Sequence, residues 1–110
     1  MKMVEYNLIT GHINEVIESL NRTIGQYKRN YKQVKIGITG RDPQERFNEH
    51  LLSKNWDRMV VIYETNSENY ANKIEAWLIA KHDDELANKK PGGGSKLTVA
   101  GKNFVYVLLK

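Results

Sequence analysis

Between Tyr31 and Ser53 the spacing of apolar residues changes from two to three and four, and a helix start stands on the boundary. In YKQVKIGIT the β-branched Val34, Ile36 and Ile38 alternate with other residues, which predicts a strand of about 6 to 8 residues. Gly37 inside it predicts a close approach by another group. Asp42, Pro43 and Glu45 follow. Aspartate accepts from the free amides of a first helical turn, proline suits its first position, and glutamate three residues on completes a capping box. The helix should cover Pro43–Ser53, with Phe47 and Leu51 toward the core. A chain of 110 residues holds one modest core, so the strand and the helix it hands over to must share a single domain, 1–110, of mixed α and β structure.

The remaining segments fit that class. Ile13, Val16, Ile17, Leu20 and Ile24 form a helical stripe over residues 12–29, with Gly25 weakening its end. DRMVVIYET has an apolar centre at residues 59–63 and reads as a second, well-buried strand. Thr65 and Glu68 make another capping box, opening a helix that runs to about Lys81. NKKPGGGSKLTVAGKN is loop, because proline and consecutive glycines hold regular structure poorly. NFVYVLLK is a closing strand, and MVEYNLIT can add an edge strand. The sum is a small α/β sandwich, helices on a sheet of three or four strands.

Composition removes several function classes. No apolar run approaches the length of a bilayer span, the N-terminus lacks the sections of a secretory signal, and there is no cysteine, so no membrane partner, disulfide or thiolate zinc site is expected and the setting is cytoplasmic. His12, His50 and His82 are too dispersed for a zinc spacing, no serine sits in a nucleophile elbow, and GGGS lacks the GK[ST] ending of a phosphate loop. The net charge is +4. Lys28, Arg29, Lys32 and Lys35 form one basic cluster; Lys89, Lys90, Lys96, Lys102 and Lys110 form a second, with no acid after residue 85. Such segments either make a polyanion-facing surface or keep a small domain in solution.

Arg46 and His50 lie one turn apart, beside Phe47 and Leu51, at the border of core and solvent. Arginine offers a planar fork matching phosphate oxygens, and imidazole can donate to phosphate or move a proton near neutral pH. Glu75 falls inside the apolar stripe of Ala71, Ile74, Leu78 and Ile79. A carboxylate there needs a salt bridge to Arg46, a divalent cation, or a path to the rim of the face. One or two carboxylates suffice for Mg²⁺ when phosphate and water fill its shell. Trp56 and Trp77 are core or border residues unless one is exposed to stack on a base.

In order, KIGIT, ERFNEH, MVVIYET, KIEAWLI and Asn88 resemble the GIY-YIG nuclease superfamily, over about residues 35–88. KIG at residues 35–37 stands where the second hallmark of that family ends in YIG. Arg46 matches the arginine of its first catalytic helix, His50 a histidine that several members add one turn later, Glu75 its metal-binding glutamate, and Asn88 a downstream asparagine. Two departures stand out. Lys35 replaces the tyrosine of YIG, and the first hallmark has two candidates. Gly25-Gln26-Tyr27 has the right ends; alternatively the last strand lies beside KIG, in a rearranged connectivity, and brings in Tyr106.

The resemblance implies a mainly antiparallel sheet flanked by helices, and a metal-dependent DNA endonuclease or nickase, with RNA an open alternative substrate. Glu75 would hold one Mg²⁺ or Mn²⁺ at the scissile phosphate, Arg46 would offset charge gathering on its oxygens, and Tyr106 or Tyr27, or else His50, would deprotonate the attacking water. Lys35 would contact phosphate in place of the missing phenol, and Asn88 would brace the site. Lys28, Arg29, Lys89, Lys90 and Lys96 would hold the nucleic acid backbone. Sequence choice would come from this domain, from a homodimer or from a partner. The alternatives are a catalytically silent relative that binds nucleic acid or protein, and a small domain whose lysines only solubilise it.

Overall fold

Seven elements follow one another in the computed structural model, which describes residues 2–82 and 101–110: β1 (Glu5–Tyr6), α1 (Ile13–Asn30), β2 (Val34–Thr39), α2 (Pro43–Ser53), β3 (Arg58–Thr65), α3 (Glu68–His82) and β4 (Asn103–Leu109). The mixed α and β class holds, with a four-stranded sheet in the order β1-β3-β4-β2. β4 is antiparallel to both of its neighbours, and the short edge strand β1 is parallel to β3. The last strand therefore does lie beside the KIG strand. Among the described residues no helix is long and apolar enough to cross a membrane.

The period-two pattern divides each strand between two cores. Val34, Ile36 and Ile38 of β2 join Val60, Ile62, Val105 and Val107 in one cluster, which is closed by Val16, Leu20 and Ile24 of α1 and by Ala71, Ile74, Leu78 and Ile79 of α3. Met59, Val61, Tyr106 and Leu108 point the other way, where Phe47 of α2 and Trp56 pack on them. So α1 and α3 cover one face of the sheet and α2 the other. Burying the apolar side chains of such a face stabilises by about 1.5–3 kcal/mol each relative to leaving them in water.

α2 begins as expected, with Pro43 in its first turn and the Asp42 carboxylate accepting from the Gln44 amide at 3.2 Å. Gln44 also anchors the N-terminal segment: its side-chain oxygen accepts from the Val4 amide at 3.1 Å and its nitrogen donates to the Lys2 carbonyl at 3.1 Å. One expectation fails. Thr65 does not cap α3, because its backbone still pairs with Asn103 in the sheet; the cap is Ser67, whose hydroxyl accepts from the Tyr70 amide at 3.1 Å. α1 runs on past Gly25 to Asn30. The loop expected over residues 88–103 lies, up to residue 100, outside the described residues.

Candidate active site

Tyr106 is directly opposite Gly37 in the β2–β4 pairing. A Cβ built on Gly37 would lie 2.7 Å from Tyr106 Cε1, and closer still to Cζ and the hydroxyl oxygen. The ring thus lies across the glycine, and the expected close approach is that of the phenol. On the other flank Tyr106 pairs with Val61, and there Ile62 forms a one-residue bulge before pairing resumes at Tyr63. A bulge beside a strand residue re-aims its side chain. Glycine on one side and a bulge on the other seat a large aromatic, 1% exposed, in the middle of the sheet.

α2 brings the partners. Arg46, His50 and the residue after its end, Lys54, recur every four residues and share one side of the helix. His50 Nε2 and the Tyr106 hydroxyl are 2.7 Å apart, with the rings edge-on. Arg46 sits close enough to the phenol for their charges to interact. Its Nη1 donates to Glu49 at 3.0 Å, and Arg41 donates to the same carboxylate oxygen at 2.6 Å. Those two guanidinium groups hold the Glu49 carboxyl down to about 2. The Nε of Arg46 is buried without a hydrogen-bond partner among the described residues.

Burial and neighbouring cations set the protonation states. Burial, then Arg46 and Lys35, push His50 down to about 4, so the imidazole is neutral at pH 7. Burial pushes the Tyr106 hydroxyl up, while Arg46 pulls against it and Glu75 adds to it. Lys35 is lowered by burial and by the facing charges of Arg46 and Lys54. The result is a neutral imidazole bonded to a phenol beneath three cations, Lys35, Arg46 and Lys54. Glu49 is the carboxylate that Arg46 shares, and Lys54 also stands over Trp56, 5.0 Å from its ring centre. Like charges held together at a half-buried position repel one another, and an anion seated among them removes that cost.

Of the residues expected at the site, Arg46, His50, Tyr106 and Lys35 come together. Glu75 is in the other layer. It is 2% exposed, on α3, which packs against β2, β4 and β3, and it acts on the Tyr106 hydroxyl as a charge. Arg46 takes its salt bridge from Glu49, and among the described residues it forms none with Glu75, one of the three accounts of that carboxylate. Tyr27 does not belong to the site: it continues the α1 stripe, edge-on to Tyr31 with centroids 6.2 Å apart, against the opposite core. Lys28 and Arg29 end α1 in that same opposite layer, and Lys28 Nζ meets His82 Nδ1 at 2.8 Å. They do not join Lys35, because alternation in β2 turns Lys35 to the α2 face. Asn88, Lys89, Lys90 and Lys96 lie outside the described residues. Lys54 was the residue missed, although its fourfold spacing from Arg46 and His50 is visible in the sequence.

Among the described residues no group of three or more His, Asp or Glu side chains is arranged to hold a metal. A single buried carboxylate suits Mg²⁺ or Mn²⁺ only where phosphate and water complete the shell. Compared with known proteins, the chain matches no family model, no curated protein and no solved structure.

Proposed function

We propose that the chain hydrolyses phosphodiester bonds of DNA with the help of Mg²⁺ or Mn²⁺. The observation that carries this is the seating of Tyr106 over Gly37, within 2.7 Å of a neutral His50 and beside Arg46. A phenol from the last strand thereby stands at the glycine of KIG, where Lys35 has replaced the tyrosine that the GIY-YIG resemblance leads one to expect. Arg46, Lys35 and Lys54 offer the phosphate three positive groups, and those aimed at the equatorial oxygens gain strength as charge gathers there. Water attacking phosphorus loses its proton to the Tyr106 oxygen as the phenolic proton passes to His50, neutral at pH 7, in the tautomer that leaves Nε2 to accept from the Tyr106 hydroxyl. The P–O bond to the leaving sugar breaks, and solvent protonates the alkoxide.

Glu75 is the residue that would hold the divalent ion, whose contribution is Lewis-acid stabilisation of the phosphoryl oxygens. That role requires the ion to reach a buried carboxylate on α3, whose core side chains lie on the sheet face opposite α2. A cytoplasmic setting, with nucleic acid and free Mg²⁺ together, goes with this activity.

One observation favours binding without cleavage: Glu75 is 2% exposed, so an ion must reach a carboxylate almost closed to solvent. The test is supercoiled plasmid with Mg²⁺ or Mn²⁺, intact chain against Glu75→Ala. Metal-dependent nicking that Glu75→Ala abolishes supports hydrolysis. DNA binding that weakens steeply with salt, without nicking, supports the silent relative. Neither binding nor nicking at low salt removes both.

A further inference from the structure

The outward side of α3 carries a pattern that the candidate active site does not use. Tyr70, Lys73, Trp77 and Lys81 follow at intervals of three, four and four residues and share one stripe. The buried residues Ala71, Ile74, Glu75, Leu78 and Ile79 occupy the other side of the helix. Tyr70 is 44% and Trp77 39% exposed, whereas Trp56 is 3% exposed in the core. Both lysines are exposed, and neither pairs with an acid among the described residues. No exposed residue of α3 is acidic: Glu68 is half-buried in the first turn and Glu75 is buried.

We propose that this stripe binds an unpaired stretch of nucleic acid strand, with bases stacked on Tyr70 and Trp77 and phosphates against Lys73 and Lys81. The stripe repeats one unit, an aromatic plate with a cation a turn further on, about 10 Å apart along the helix. A plate and a cation are the two parts that sequence-tolerant recognition of a single strand requires, and a base stacked inside a duplex has no free face to offer a plate. The ammonium groups of Lys73 and Lys81, which pair with no acid among the described residues, complement a polyanion. Beside the stripe lie exposed Asn69, Asn72, Ala76 and Ala80, which give a bilayer too little aliphatic surface to bury. Exposed lysine is also depleted in protein–protein interfaces. Choosing nucleic acid as the polyanion rests on the phosphodiester hydrolysis proposed above. Because the stripe faces away from Glu75, the substrate would be one whose unpaired stretch adjoins the bond to be cut.

The test is titration of the intact chain with a labelled oligothymidylate, following anisotropy and tryptophan quenching. Saturable binding is expected, with quenching. Trp77→Ala weakens it about 5-fold to 160-fold, the range set by the loss of one stacked base, and Trp77→Phe, which keeps a plate, retains most of it. Lys73→Gln with Lys81→Gln lowers the slope of log affinity against log salt by about 1.4. Absence of binding, equal binding by Trp77→Ala, tighter binding of a duplex of the same length, or binding of phosphatidylserine vesicles in place of the oligonucleotide overturns the proposal. Plasmid nicking assayed alongside separates the two ideas. Nicking without strand binding removes the stripe alone, and strand binding without nicking removes hydrolysis and leaves the stripe standing.

Discussion

The two faces of one sheet differ in kind although the same strands build both. Under α1 and α3 the strand side chains of the buried cluster are aliphatic, with Tyr63 packed at its border and Asn103 the buried polar residue at the start of β4. Under α2 the same strands present Lys35, Gly37 and Tyr106 beside Met59, Val61 and Leu108, and the helix adds Arg46 and His50 to its buried Phe47. Adjacent positions therefore do unrelated work: Ile36 fills a core, and Gly37 leaves room for a phenol. A period of two lets a short strand stabilise the fold with one set of residues and assemble a site with the other. The packing face supplies rigidity, and the α2 face uses it to hold polar groups at fixed distances.

Breaking the packing face should have the largest effect on stability. Ile36→Ala removes a side chain with no exposure and should cost about 2–5 kcal/mol in urea unfolding. The same change one residue on should act differently. Gly37→Ala forces a Cβ into the Tyr106 ring, and the overpacking should cost about 1–3 kcal/mol while nicking per folded molecule disappears. If the two variants lose stability and nicking in the same proportion, the division between the faces is wrong.

A third prediction sharpens the contrast through pH. His50 takes up its proton near pH 4 when folded, against an ordinary 6.5. Between those values the unfolded chain binds a proton that the folded chain does not, so stability should be level above pH 6.5 and fall as pH drops toward 4. Allowing for solvent screening, the fall should be about 1–2 kcal/mol. Denaturant unfolding across that window measures it, and His50→Gln should flatten it. The smallest effect belongs to Lys54→Gln, which should change stability by less than about 0.5 kcal/mol. It removes one of the charges that lower Lys35, so NMR titration should find the Lys35 ammonium closer to its ordinary value.

The contrast between the faces also explains what the sequence could reveal. β2, α2 and the stripe of α3 were legible because each is set by local period and capping. The close approach at Gly37 and the burial of Glu75 were legible for the same reason. Pairing was not: whether Tyr27 or Tyr106 meets Gly37 depends on which strand lies beside β2, and nothing local decides that. Tyr27 loses because it continues the stripe of α1, three residues after Ile24. Thr65 and Ser67 are both acceptable caps locally, and the choice falls to Ser67 because the β3–β4 ladder extends to Thr65. Likewise Lys28 and Lys35 are close in the chain, yet the turn between α1 and β2 sends them to opposite layers.

The most direct measurement is metal-dependent nicking by Tyr106→Phe, which removes one oxygen and keeps the ring that packs on Gly37. If the phenol relays the proton of the attacking water to His50, the variant should unfold near the intact chain's midpoint and nick at least about 100-fold more slowly. Nicking at the intact chain's rate by a folded Tyr106→Phe would contradict the account.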